Sequence, residues 1–120
     1  MFTINHPDIN RIDIEIDGKI DEPTMRDALA RLIESSSAIE DGKMLYRIRN
    51  FEMPTFAALM VELKRIPDLI RLVRRFDKVA VLADREWIRK AGEIEGAFIP
   101  GLTIKAFDLD EEDEAKAWLG

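Results

Sequence analysis

The side chains able to do chemistry are numerous but of few kinds. The chain carries 24 carboxylates and 18 lysines and arginines, one histidine and no cysteine. Absence of cysteine excludes disulfides, thiol nucleophiles and thiolate metal sites. His6 is the sole histidine, so any imidazole catalysis or metal ligation would rest on it alone; in His6-Pro7-Asp8, which reads as a turn, it is expected to be structural or exposed. The carboxylates Asp13, Glu15 and Asp17 share one strand face. Such a row could hold a cation, and equally it could be a solvated face screened by neighbouring bases. No glycine-rich phosphate loop and no Gly-x-Ser-x-Gly elbow occurs. No His/Asp/Glu spacing points to a metal, and no cofactor is expected.

Two charge blocks stand out. From Lys64 to Lys78 six bases (Lys64, Arg65, Arg71, Arg74, Arg75, Lys78) face two acids (Asp68, Asp77), while 108–114 holds six acids and no base. The acidic block suits the positive end of a last helix. The basic block reads either as a solvated surface or as a contact for an anionic partner such as a lipid surface or a ligand carboxylate, through Arg71, Arg74 and Arg75. A net charge of -6 argues against nucleic-acid binding. Met1-Phe2-Thr3-Ile4-Asn5 lacks the basic start and apolar core of a signal peptide, and no long apolar run suggests a span. The expected location is cytoplasmic, peripheral at the inner membrane face if lipid is the partner.

The elements that must position these groups can be read in order. Phe2 to Ile4 is expected as a short strand. Residues 11–17 alternate strictly, with Ile12, Ile14 and Ile16 toward a core and the charged residues toward water. Asp21 caps a helix that Pro23 opens, with Met25, Leu29, Leu32 and Ile33 on one stripe. Asp41-Gly42 turns into a strand from Lys43 to Asn50, with Met44, Tyr46 and Ile48 on one face and Leu45, Arg47 and Arg49 on the other. The loop through Phe51, Glu52, Met53, Pro54 and Thr55 then follows the carboxyl end of that strand, the usual ligand position in an open α/β sheet. Pro54 is expected to open a helix whose free N–H groups could receive an anion.

That helix, from Phe56 to Ile66, is apolar nearly all round. Phe56, Leu59, Met60 and Leu63 are expected as its core stripe, with Pro67 as a break and a second short helix from Asp68 to Arg75. The pair carries more apolar surface than one sheet face needs. It is therefore either buried between sheet and neighbouring helix or the wall of a pocket, a membrane contact or a subunit contact. The chain then forms a buried strand (Val79 to Ala83), a helix capped by Asp84 and holding Trp87, Ile88, Ala91 and Ile94, a turn at Pro100-Gly101, a strand from Thr103 to Phe107 and a last helix from Glu111 to Leu119, docked by Ala115, Trp118 and Leu119. The fold expected is a single α/β domain over residues 1–120. Its mixed, mostly parallel sheet has about five strands, with helices packed chiefly on one face.

This order of elements, together with Phe76-Asp77-Lys78-Val79-Ala80-Val81-Leu82-Ala83-Asp84, Trp87-Ile88-Arg89, Phe98-Ile99-Pro100-Gly101, Phe107-Asp108 and Glu114-Ala115-Lys116-Ala117-Trp118-Leu119, resembles the SpoIIAA-like family of the STAS-like fold. The resemblance covers the last third of the chain by residues and the rest by pattern, and its residues are those of packing and turns. It implies non-enzymatic modules that bind apolar ligands, membranes or protein partners. Anti-sigma-factor antagonists of this fold carry a phosphorylated serine in an Asp-Ser pair after the third strand. Here the corresponding loop is Glu52-Met53-Pro54-Thr55, so Thr55 is the only hydroxyl in place for phosphorylation.

The leading functional expectation is a binding module for an apolar or lipid-like ligand. Phe51, Met53, Phe56, Met60 and Phe98 would line a pocket under a lid hinged at Pro67, with Arg71, Arg74 and Arg75 meeting an anionic membrane or ligand. The alternative is a STAS-type protein-interaction domain using the same surface, and a third is a small enzyme using carboxylates around the cleft. A homodimer is expected from the surplus apolar surface.

Overall fold

The computed structural model describes residues 2–50, 52, 55–84 and 101–120. Strict alternation makes β2 (Arg11–Asp17) and β3 (Gly42–Arg49) two-faced strands, and the five strands form one sheet in the order β1-β2-β3-β4-β5. β1 (Phe2–Asp8) pairs antiparallel with β2; β3, β4 (Phe76–Ala83) and β5 (Thr103–Asp108) continue parallel. The mixed, mostly parallel sheet is thus as expected.

The register sorts the side chains onto two faces. Ile12, Met44, Val79 and Ile104 form one rung, and Ile14, Tyr46, Val81 and Ala106 the next. Between them, on the opposite face, lie Leu45, Ala80 and Lys105. Three of the four described helices cover the first face: α1 (Glu22–Ser36), α2 (Phe56–Lys64) and α3 (Ile66–Val73). There Ile12, Ile14, Leu32, Ile39, Met44, Leu72 and Phe76 make one core cluster. On the second face α4 (Glu112–Leu119) docks Ala115 and Leu119 onto Leu45, Ala80, Leu82 and Phe107. The Trp118 ring tilts onto Phe107 at 6.1 Å, and Lys78 Nζ donates to the Trp118 carbonyl at 3.0 Å. The tail is packed, as its tryptophan suggested.

The boundaries follow local chemistry. The Asp21 carboxylate caps α1, accepting from the Thr24 N–H at 3.0 Å, and the hydrogen bonds it receives hold its carboxyl below the usual carboxylate range. Asp41 takes a left-handed φ of 50° before Gly42, which is buried. A Cβ on Gly42 would overlap the Ile39 side chain and sit 3.3 Å from the Arg75 carbonyl, so only glycine fits.

Three expectations need correction. β1 runs on through His6-Pro7-Asp8, with its register shifting between Asn5 and Asp8; the turn falls at Ile9-Asn10. Proline is tolerated there because β1 is an edge strand, where a ladder donor can be spared. His6 Nε2 donates to the Ile9 carbonyl at 3.2 Å and stabilises that turn. The break between α2 and α3 lies at Arg65, not Pro67, which sits in the first turn of α3 where its missing N–H is no loss. Phe56, Met60 and Leu63 are not a core stripe. They are exposed, Phe56 by 79%, and Ala58 is the one fully covered residue of α2. Apolar residues on every side give α2 no periodic signal to fix its inward face, and small Ala58 allows close approach to α1. The expected helix with Trp87, Ile88, Ala91 and Ile94 falls on 85–100, outside the described residues.

Candidate functional site

α2 packs chiefly against α1 and only lightly on the sheet. Ala58 closes with Ile20, Met25 and Leu29 into a cluster of its own, against which Val61 and Leu69 pack. Below this contact, between α1, the α2–α3 pair and the inner face of β1, β2 and β3, lies a cavity of about 410 Å³. Its walls are hydrocarbon from Phe2, Ile16, Met25, Leu29, Leu59 and Leu69. That size falls in the range of small-molecule sites, roughly 300–1,000 Å³.

The polar groups at the cavity are Tyr46, Glu62 and Glu52. Tyr46 is placed by the inward rung of β3, and Glu62 lies one helical turn after Ala58 on α2. Burial pushes the Tyr46 phenol up from its ordinary value, and the charge of Glu62 adds to the rise. No lysine, arginine or histidine lines this space among the described residues.

The residues expected at the site are distributed differently. Phe56 and Met60 lie on the outer side of α2; Met60 borders a shallow cleft with Ala57, Val61, Lys64 and Arg65. Phe51, Met53 and Phe98 lie outside the described residues. Thr55 is the N-cap of α2, its hydroxyl accepting from the Ala58 N–H at 3.1 Å. Arg71 and Arg75 border a separate small cleft with Ser36, Ser37 and Asp68. Arg71 pairs with Asp68 at 3.0 Å, Arg75 donates to the Ile39 carbonyl at 3.4 Å, and Arg74 is exposed. The three guanidinium groups are therefore not brought together with the cavity.

The carboxylate row of β2 is occupied by partners. Asp13 pairs with Arg11 at 2.8 Å, Glu15 with Arg49 at 3.1 Å, and Asp17 accepts from Asn50 Nδ2 at 2.9 Å. Arg47 on the same face pairs with Glu112 of α4. This is a screened, structural face. Among the described residues no cluster of three histidine, aspartate or glutamate side chains could hold a metal. None of the described helices is long and apolar enough to cross a membrane.

Sequence reasoning did not single out Tyr46 and Glu62, which the structure places at the cavity. The signals existed: a phenol on the apolar rung of β3, and a lone acid on a helix otherwise apolar from Phe56 to Leu63.

The sheet order, the antiparallel first strand and the helices layered on one face define a STAS-like α/β module. The SpoIIAA-like family model matches residues 11–120, and the chain belongs to that family. Among solved structures, a protein with a SpoIIAA-like fold from Shewanella loihica PV-4 superposes with a TM-score of 0.73 at 20% identity, covering 100% of this chain and 93% of its own. The phosphorylated form of SpoIIAA, the Bacillus cell fate determinant, superposes with a TM-score of 0.62 at 16% identity over the full length of both chains. Unphosphorylated SpoIIAA, an anti-sigma factor antagonist, gives 0.54 at 13% identity, covering 100% of this chain and 99% of its own. At such identities the likeness is one of fold. Comparison with curated proteins gives no match.

Proposed function

We propose that this chain is a non-enzymatic binding module that takes an apolar, lipid-like ligand into the cavity beneath α2–α3. The observation that carries this reading is the cavity itself, about 410 Å³ and walled mostly by hydrocarbon. An apolar pocket of that size leaves hydrocarbon surface in water that an apolar ligand would cover. The cover is suited to admitting one, because α2 packs chiefly on α1. The test is titration with 1-octanol by calorimetry, in the native chain and in Ala28→Phe. Ala28 is buried in the cavity wall, so the added ring fills the space. Saturable binding that Ala28→Phe abolishes supports the site; equal binding by both proteins rejects it.

The outer side of α2–α3 belongs to the same reading. Phe56, Leu63, Ile66 and Ile70 are exposed there, with Lys64, Arg71 and Arg74 among them. Apolar insertion flanked by bases is the chemistry of peripheral attachment to an anionic bilayer. Flotation with anionic vesicles that falls with salt, and is lost in Phe56→Asp/Leu63→Asp, is the expected result.

The second reading is a protein-interaction domain using that exposed side, favoured by the fold likeness to an anti-sigma factor antagonist. The absence of an Asp-Ser pair in 52–55 separates the chain from a serine switch. A homodimer through the same side is the third use of this surface. Failure to float, with a stoichiometric protein complex or a dimer by sedimentation that Phe56→Asp/Leu63→Asp disrupts, would replace the membrane reading.

A further inference from the structure

The polar groups of the cavity point to the head group of its ligand, an inference that rests on the cavity being the ligand site. Glu62 sits at the cavity wall, yet among the described residues no hydrogen bond or ion pair holds its carboxylate. The Tyr46 phenol lines the same space from the apolar rung of β3. Glu52 adds a second carboxylate at the same space, and no base among the described residues offsets either. Glu62 is half-buried and Glu52 exposed at the cavity mouth, and both would attract a cation held in the apolar space between them and the sheet. An anionic head, whether carboxylate or phosphate, would meet two negative charges with no base among the described lining residues to neutralise it. The arginines that could have done so are elsewhere: Arg71 and Arg75 border the separate cleft beside Ser36.

We infer that the cavity binds an apolar molecule carrying a protonated amine, its hydrocarbon against Met25, Leu29 and Leu59 and its N–H donors on the Glu62 carboxylate beside Tyr46. The Tyr46 ring supplies a π face for the same cation. The upward push that Glu62 exerts on the phenol is the electrostatic counterpart: the field that disfavours a phenolate favours an ammonium.

The experiment compares three probes of one chain length at pH 7: octylamine, 1-octanol and octanoate. Each is titrated calorimetrically into the full chain. Octylammonium should bind on the order of tenfold tighter than octanol, the gain of one charge-assisted hydrogen bond, and octanoate weaker than octanol. Glu62→Gln should reduce the amine to the affinity of the alcohol while leaving octanol unchanged. Asp27→Asn, on the exposed side of α1, should keep the preference and so exclude general attraction to an acidic protein. Tyr46 is the only tyrosine, so its near-ultraviolet difference spectrum gives a variant-free readout: octylamine should perturb it more than octanol does. Octanoate binding as well as octylamine, or an amine preference that survives Glu62→Gln, overturns the inference. Octanol and octylamine binding equally would sink it alone and leave the cavity reading standing; binding of neither would remove both.

Discussion

At the scale of single residues, two side chains report on the fold by their titration, Tyr46 on β3 and Asp21 at the start of α1. Tyr46 is the chain's one tyrosine, and burial, reinforced by Glu62, raises its phenol above the ordinary value of 10.0. Its absorbance at alkaline pH should therefore stay that of the phenol through the range where an exposed tyrosine ionises, and change only at higher pH or on unfolding. Glu62→Gln should bring the transition to lower pH. A midpoint near 10 in the native protein would show that the ring is solvated. Asp21 works in the other direction. Its carboxyl is held below its ordinary 3.8 by the cap hydrogen bonds to Thr24. The folded state then binds fewer protons than the unfolded state between the two values, so stability rises with pH across that window. The contribution is complete above the unfolded value and lost as pH falls through the folded one. Asp21→Asn keeps a capping oxygen but no titration, so its urea midpoint should fall less steeply than that of the native chain below about pH 4.

At the scale of elements, legibility tracked periodicity. Ile12, Ile14 and Ile16 alternate with charges, and Met44, Tyr46 and Ile48 alternate with Leu45 and Arg47; both patterns fixed a face, and the register agrees. α1 announced itself through Asp21, Pro23 and the stripe of Met25, Leu29, Leu32 and Ile33, of which Met25, Leu29 and Leu32 are buried and Ile33 is half-buried. α2 did not, since Phe56, Ala57, Ala58, Leu59 and Met60 are apolar in every direction. Which side faces inward was decided by a tertiary contact, Ala58 against α1, that one chain position cannot disclose. The lining of the cavity was hidden for the same reason. Bulky Phe56 and Met60 drew attention to a pocket, while the walls came mostly from α1 and the strands. Gly42 shows how tightly another junction is set: its N–H donates to the Arg75 carbonyl at 2.9 Å, and no room remains for a methyl group. Gly42→Ala should cost about 1–3 kcal/mol by forcing Ile39 and the start of β3 apart, measured by urea denaturation. An unchanged midpoint would mean that Ile39 can turn away freely.

At the scale of the whole molecule, the sheet divides labour between its faces. One carries the cavity and the α2–α3 cover; the other is closed by α4 and by charge pairs from Arg11–Asp13 to Arg47–Glu112. The cavity and the exposed apolar side chains of α2–α3 thus lie on one side of the sheet. The rim of the sheet has its own consequence. A strand at the end of a sheet is a template on which other chains can stack, and fibrils grow in that way. β1 places Pro7 and a slip in register where such stacking would begin. Pro7 has no N–H to offer, so a ladder copied along this border would be interrupted there. Pro7→Thr should leave the native domain folded yet make concentrated solutions scatter light on storage, with a rise in thioflavin fluorescence. If they stay clear, the remaining charges of the border suffice. A residue that resembled a simple turn signal thus withholds a donor from the open border of the sheet.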